Sequence, residues 1–459
     1  MVKVVEKYIN GRFENSNEYY EVKDVLESEV VLKIAVSTMA DLRKVYRNAK
    51  VLQQKLEQVE LSERVRIIKQ LYELYVSKIK LEYLPIINKL HGTVDDDVLA
   101  PLESLKEWVY NLDEYQKIVF GAEDALQNGV KVVYNGKQIG LKSFRPRGPL
   151  AIIFPANMEA AEQFYVLAQA ILSGNHFVVR SSSKDVTTCC LFECLDYIGF
   201  SCAGQMLSWQ SSAENALEMT RRLIKNSEHS IIFASNETIN KIMEGVEAKN
   251  VFKYGTGLPI VFVTHNAELE TAARSVMLSA VAGKGCHCIS TTPVFVDEKV
   301  YDQFCNELEK VKPEFDAMAE KRLFTKVEVE SIKSFIEKDR FNFKAKLGNI
   351  YDHNLQCLMV KGAEKSSRFF FEEIPAMVVA VAKYDDINNA IEYANKLAHE
   401  RKIFKHILAV VYGDKKDYMV VRKKLNAYMV KHNEGSAEFN WFLPHQGRYF
   451  VEAMVEVIN

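Results

Sequence analysis

A glycine-rich stretch with two cysteines is the densest group of reactive residue types in the chain. Residues 283–292 read Gly-Lys-Gly-Cys-His-Cys-Ile-Ser-Thr-Thr, with thiols at Cys286 and Cys288. Glycines let the backbone approach a ligand closely, and a cysteine on such a loop is a candidate nucleophile when its thiolate is stabilised. Inert thiols are an alternative. A metal site is disfavoured, because ligands at successive positions converge poorly on one ion.

A second candidate group ends an apolar segment, where Phe154, Pro155 and Ala156 lead to Asn157. A carboxamide at the carboxyl end of a strand lies where ligands bind in open α/β sheets. Its N–H groups can stabilise a developing oxyanion. Asn is also a favoured N-cap of helices, so both roles fit this position.

A third candidate group is polar and cationic. A predicted strand ends at Arg180 and is followed by three serines, the last of them Ser183, and by Lys184. Hydroxyls and cations together can bind a phosphate. A solvated strand end is the alternative for an isolated stretch of this kind.

Alternating strands and helices must position these groups. Predicted strands cover residues 150–154, 176–180, 206–209, 230–233, 260–263, 293–297, 376–382 and 407–412. Predicted helices cover residues 158–173, 267–282, 298–311, 326–337 and 386–398. This alternation indicates parallel sheets with short crossovers.

The N-terminal third has a different pattern. Residues 8–13 predict a short strand with a turn at Asn10-Gly11, residues 39–112 have helical spacing, and residues 128–147 predict a hairpin around Asn135-Gly136. A projecting hairpin is often a subunit contact, although an ordinary edge hairpin fits equally well.

Composition limits the function further. The 459 residues carry 59 Lys and Arg against 61 Asp and Glu, so bulk charge gives no reason to expect a nucleic acid partner. The N-terminus lacks the apolar core of a signal peptide, and the longest uncharged apolar run, residues 374–382, is too short to span a membrane. We therefore expect a cytoplasmic protein with eight free thiols.

In their order along the chain, the candidate motifs resemble the aldehyde dehydrogenase superfamily. Phe-Pro-Ala-Asn157 resembles the family's Pro-Trp-Asn motif, with Ala156 in place of the Trp. Further resemblances are residues 170–180, Pro259 with residues 266–272, Glu372-Glu373-Ile374 and residues 386–395. They extend from residue 9 to about Gly447, over most of the chain.

The resemblance implies an α/β fold with two doubly wound domains and a β-hairpin oligomerisation arm. Residues 1–127 and 148–255 would form the cofactor-binding domain, and residues 256–432 the catalytic domain. Residues 128–147 and 433–459 would form the arm and the C-terminal tail. A homodimer or homotetramer is expected.

The resemblance also implies a covalent mechanism and a set of site residues. A cysteine attacks an aldehyde, and Asn157 with a backbone N–H holds the oxyanion. NADP or NAD takes the hydride, and water or coenzyme A cleaves the thioester. The implied cofactor contacts are Phe154, Arg180, Ser183, Lys184, Asn236, Gly255 and Glu373.

Spacing favours Cys288 over Cys286 as the nucleophile. Both follow a glycine by three residues, as in the family's Gly-Gln-x-Cys. The family then runs eight residues to the valine that ends the next strand, and Cys288 reaches Val296 at that distance. Cys286 would require an insertion.

The chain departs from the family where hydrolytic members carry a Glu in Glu-Leu-Gly-Gly-Lys. Lys253 takes that position, and a charged lysine cannot accept a proton. Members that acylate CoA, and long-chain acyl-CoA reductases, also lack this Glu. The sequence therefore predicts interconversion of an aldehyde and an acyl-CoA.

Two other interpretations stay open. One is an aldehyde dehydrogenase that forms free acid with another base, such as His432 or His445. The other is a non-catalytic relative, which the missing Glu, the missing Trp and the altered stretch at Asn236 favour. The retained Asn157, Cys288 and Glu373 argue against it.

Overall fold

The computed structural model describes residues 2–158, 160–247, 250–290, 293–401, 403, 405–437 and 440–458. The chain opens with the short strands β1 (Lys3–Val5), β2 (Lys7–Ile9), β3 (Arg12–Glu14), β4 (Tyr19–Lys23) and β5 (Val30–Ala35). The helices α1 (Met39–Glu57), α2 (Leu61–Lys78), α3 (Leu84–His91), α4 (Asp95–Tyr110), α5 (Leu112–Phe120) and α6 (Ala125–Asn128) follow, with a π-helical turn at Ile79–Tyr83. Helices α1 to α4 occupy the predicted region of helical spacing, residues 39–112, whereas α5 and α6 extend the helical segment beyond it.

A hairpin and a first series of strands and helices come next. These elements are β6 (Val130–Tyr134), β7 (Lys137–Pro146), β8 (Leu150–Ile153), α7 (Ala160–Leu172), β9 (Phe177–Arg180), α8 (Thr187–Tyr197), β10 (Gly204–Leu207), α9 (Ala216–Asn226), β11 (His229–Phe233), α10 (Asn236–Met243) and β12 (Val251–Tyr254). The turns at Asn10-Gly11 and Asn135-Gly136 have positive φ at both residues, the geometry for which Asn-Gly is favoured in hairpins.

The second series completes the chain. It consists of β13 (Ile260–Val263), α11 (Leu269–Val281), β14 (Pro293–Asp297), α12 (Tyr301–Ala319), α13 (Lys326–Lys338), β15 (Ala345–Leu347), β16 (Leu358–Lys361), β17 (Val378–Tyr384), α14 (Ile387–Glu400), β18 (Ala409–Tyr412), α15 (Lys415–Lys424), β19 (Val430–His432), α16 (Phe450–Ala453) and β20 (Val455–Ile458). Single 3₁₀ turns lie at Ala282–Gly285, Arg340–Asn342 and Arg368–Phe370.

Two sheets of seven strands organise the described residues. The first has the order β12-β11-β8-β9-β10-β2-β3 and is parallel from β12 to β10. The second has the order β15-β16-β17-β14-β13-β18-β19 and is parallel except at β15. Their central strands are buried on both faces, which is why they appear in the sequence as continuous apolar runs.

The hairpin β6–β7 and the C-terminal strand β20 form one three-stranded sheet. Strand β20 pairs antiparallel with β7, which also pairs with β6. Along β6 and β7 several apolar side chains are exposed, among them Val133, Tyr134 and Ile139. The domain boundaries themselves stay a prediction. Within the described residues, none of the helices has the length and apolar character needed to cross a membrane.

Candidate active site

A cavity of about 420 Å³ is bounded by both large sheets. The first sheet contributes segments that follow β8, β11 and β12, and the second contributes segments that precede β13, β14 and β17. Four of the predicted site residues line this cavity: Asn157, Gly255, Cys288 and Glu373. The carboxyl ends of parallel strands are where open α/β sheets bind ligands, so the position suits a catalytic site.

The backbone of the cysteine loop explains its glycines. After α11 ends, Gly283, Lys284 and Gly285 have φ of 54°, 62° and 68°, in the left-handed region that side chains disfavour. A Cβ on Gly285 would lie 2.3 Å from the carbonyl oxygen of Ala376. The glycines are thus needed for a tight turn and for packing against backbone, and Gly285 also lines the cavity.

Contacts to the helical region hold this loop. The Gly283 N–H donates to Oδ1 of Asp97 (3.3 Å), and Nζ of Lys284 donates to the His91 carbonyl oxygen (2.7 Å). Asp97 is also paired with Arg322 at 2.6 Å, and both side chains are almost fully buried. Helix α4, which carries Asp97, therefore fixes the start of the segment that presents the cysteines.

Both cysteines of the loop are partly buried and line the cavity. Burial, and then the negative charges of Glu373 and Glu162, raise the pKa of the Cys288 thiol to about 12. Cys288 therefore rests as a neutral thiol at pH 7. Nδ2 of Asn157 donates to the carbonyl oxygen of Cys286 at 2.9 Å, so the carboxamide already contacts the cysteine loop.

Two adjacent glutamates form part of the opposite wall. Oε1 of Glu373 accepts from the N–H groups of Gly257 (2.8 Å) and Leu258 (3.4 Å). Glu372 instead makes a two-pronged ion pair with Arg368, at 2.8 and 2.7 Å. The hydrogen bonds from Arg368 hold the pKa of Glu372 below its ordinary value.

Another part of the wall carries the N-terminus of α10. Ser235, which caps α10 by accepting from the Thr238 N–H at 3.2 Å, lines the cavity together with Gly255 and Thr256. A helix N-terminus favours anions. Asn236 does not line the cavity: its Oδ1 accepts from the Thr256 N–H at 3.3 Å and so ties α10 to the end of β12.

The remaining predicted cofactor contacts lie outside the cavity wall. Phe154 is buried beside Phe233, with ring centroids 6.1 Å apart. Arg180 is buried, and its Nη2 donates to Oγ of Ser211 (2.8 Å) and to the Trp209 carbonyl oxygen (3.3 Å). Ser183 is partly buried and Lys184 is exposed. These four residues are not brought next to the cysteines.

The residue at the family's base position and the two histidines considered as alternative bases also differ in whether they line the cavity. Lys253 is exposed on β12 and does not line the cavity, whereas its neighbour Tyr254 does, because successive strand residues face opposite sides. His432 lies outside the cavity, with Nε2 2.9 Å from the Gly413 carbonyl oxygen. His445 lines the cavity, and burial lowers its pKa to about 4.

Sequence reasoning missed Glu162, which lines the cavity from α7. Helix α7 is otherwise buried, and Glu162 is its single charged residue. The sequence feature that could have identified Glu162 is a single carboxylate in an apolar helix, five residues after Asn157.

Comparison with known proteins then identifies the family. The sequence profile of the aldehyde dehydrogenase family matches residues 13–448. The chain belongs to the aldehyde dehydrogenase family. It is 22% identical over 419 residues to D-glyceraldehyde dehydrogenase (NADP(+)) from Picrophilus torridus, covering 84% of this chain and 81% of that one.

Solved structures of aldehyde dehydrogenases share the fold. Aldehyde dehydrogenase 21 from Physcomitrella patens, in complex with the product succinate, superposes with a TM-score of 0.85 at 15% identity, covering 100% of this chain and 98% of that one. The NAD-bound 1-pyrroline-5-carboxylate dehydrogenase from Thermus gives 0.82 at 16% identity, covering 100% and 92%. The predicted fold class is confirmed. The family uses NAD(P), whereas the resemblance to CoA-acylating members stays a prediction.

Proposed function

We propose that this protein oxidises an aldehyde with NAD(P) through a thioester on Cys288, and that water releases the product as a carboxylic acid. The observation that carries the proposal is the convergence of Cys288, Asn157 and Glu373 on one cavity, from elements of both large sheets. The curated relatives support an aldehyde as substrate, because one is named a D-glyceraldehyde dehydrogenase and another an α-ketoglutaric semialdehyde dehydrogenase.

The first half-reaction uses the thiol and the carboxamide. The Cys288 thiol first releases its proton to solvent; the thiolate then attacks the aldehyde carbon, and the carbonyl oxygen becomes an oxyanion. Nδ2 of Asn157, which now donates to the Cys286 carbonyl oxygen, would donate to that oxyanion and stabilise it. Bound NAD(P) supplies the acceptor for the hydride, which leaves an acyl thioester on Cys288.

Glu373 would face the nicotinamide ribose in this proposal. Its side chain is exposed in the cavity, and two backbone N–H groups hold one carboxylate oxygen in place. A fixed carboxylate of this kind suits ribose hydroxyls, which donate hydrogen bonds to it. The N-terminus of α10 would take the pyrophosphate.

Release of the acyl group to coenzyme A is the second candidate function. The observation that favours it is Lys253, which stands where hydrolytic members carry their base and which is exposed, off the cavity wall. The CoA thiol, with a pKa near the 8.5 of cysteine, is partly ionised at neutral pH. It therefore needs less help from a base than water does.

One experiment separates these functions. Purified protein is mixed with an aldehyde and NAD or NADP, with and without CoA, while reduced cofactor and products are measured. Steady formation of free acid without CoA supports the first function. A single burst that becomes continuous only with CoA supports the second. Absence of both, despite cofactor binding in a fluorescence titration, would mean a non-catalytic relative.

Cofactor preference and assembly are further parts of the proposal. NAD-favouring members place a Glu at the position of Ser183, and Lys184 is adjacent, so we expect NADP to bind at least as well as NAD. The β6–β7–β20 arm, with exposed Val133 and Ile139, would join subunits of a cytoplasmic homodimer or homotetramer. Light scattering of the purified protein measures that assembly.

A further inference from the structure

The helix that follows Asn157 brings a carboxylate into the cavity. Every described residue of α7 is buried except Glu162, which is partly buried and lines the cavity wall with Cys288. Its charge is among the causes that raise the pKa of the Cys288 thiol, so the carboxylate lies within electrostatic reach of the sulfur.

Of the other acids and bases of the cavity wall, two glutamates are held by hydrogen bonds and one histidine is a weak base. Glu372 is held by Arg368, and Glu373 accepts from two backbone N–H groups. His445 is a weak base, since burial lowers its pKa to about 4. His287 also lines the cavity, on the cysteine loop itself. Lys253, at the family's base position, faces away from the cavity.

We propose that Glu162 is the general base that activates water for cleavage of the Cys288 thioester. This inference rests on the proposed function. The carboxylate takes one proton from water as the water oxygen bonds to the acyl carbon. The C–S bond then breaks, the Cys288 sulfur leaves as thiolate, and the carboxylic acid is formed with no change in oxidation state. The base thus comes from α7 and not from β12.

The placement has a physical basis in the sequence of α7. A carboxylate in an otherwise buried helix is retained at a cost in desolvation, and Glu162 sits at the boundary between the buried helix and the cavity. General bases of this kind contribute about 10²–10⁴-fold to a rate. Since deacylation follows hydride transfer, loss of this base acts on the second half-reaction and leaves the first intact.

The test uses rapid-mixing kinetics of full-length wild type and Glu162→Gln with aldehyde and oxidised cofactor. Wild type should turn over steadily. The variant should give a burst of about one reduced cofactor per subunit, followed by a steady rate lower by 10²-fold or more. Hydroxylamine, which attacks thioesters without a base, should restore turnover of the variant. Glu162→Asp should recover part of the steady rate.

Two results for Glu162→Gln would overturn the assignment. One is an unchanged steady rate, and the other is loss of the burst while the thermal midpoint of the variant is unchanged. If Glu162→Gln unfolds, Glu162→Asp is measured instead, because it retains the carboxylate. A steady rate of Glu162→Asp that does not fall as the pH is lowered overturns the assignment. Failure of wild type to oxidise any aldehyde would refute the proposed function instead. Lys253→Gln, on the exposed side of β12, is the matched control and should keep the wild-type rate.

Discussion

The protonation of Cys288 gives the most direct quantitative prediction. With a pKa of about 12, about one thiol in 10⁴ is ionised at pH 8, whereas an ordinary cysteine with a pKa near 8.5 is about one quarter ionised. A thiolate of higher pKa is intrinsically more nucleophilic, which raises its reaction rate roughly 30-fold and offsets part of the difference in ionised fraction. We therefore expect Cys288 of the free protein to react with iodoacetamide roughly 10²-fold more slowly than a cysteine peptide does.

The assay follows alkylation by peptide mass spectrometry between pH 7 and pH 10. A Cys286→Ala background is used, because both cysteines lie on one tryptic peptide between Lys284 and Lys299. The rate should rise about tenfold per pH unit without a plateau, since the thiol stays protonated over this range. Glu162→Gln should raise the rate by removing a nearby negative charge. A plateau near pH 8 would refute the reasoning, because it would mean that the resting thiol is already ionised.

The remaining predictions concern catalysis, selectivity and stability. Cys288→Ala should abolish turnover in an NAD(P)H absorbance assay, while Cys286→Ala keeps at least about a tenth, since only one thiol forms the thioester; the reverse pattern would assign the nucleophile to Cys286. Asn157→Ala should lower kcat by about 10²–10³-fold through loss of an oxyanion donor, and a changed KM with unchanged kcat would contradict this. Because the described cavity wall contains glutamates and no Lys or Arg, kcat/KM for a neutral aldehyde should exceed that for a carboxylate-bearing aldehyde of equal length by roughly tenfold; equal values would count against it. Asp97→Ala should lower the free energy of unfolding by about 3–5 kcal/mol in denaturant titrations, because it leaves the buried Arg322 without its carboxylate; a loss below about 1 kcal/mol, typical of exposed pairs, would contradict it.

Much of the fold could be predicted from local sequence. The buried parallel strands β8, β9, β13 and β14 appear as short apolar runs, and Asn-Gly pairs mark both hairpin turns. The edge strands were harder. Strands β15 and β16 lie near an exposed sheet edge, and β20 depends on pairing with β7, more than 300 residues earlier. Local pattern carries no information about such partners.

The sequence by itself predicted that Asn157 and Cys288 belong to one site, because their motifs occur in the family's order and spacing, and both line the same cavity. Only the tertiary structure decided which other groups join them. Glu162 lines the cavity because α7 follows β8 along the chain and begins beside the cavity, whereas Lys253 faces outward because strand residues alternate in direction. Arg180 is turned inward onto Trp209 and Ser211. Side-chain direction follows from packing between distant segments, and motif spacing does not contain it.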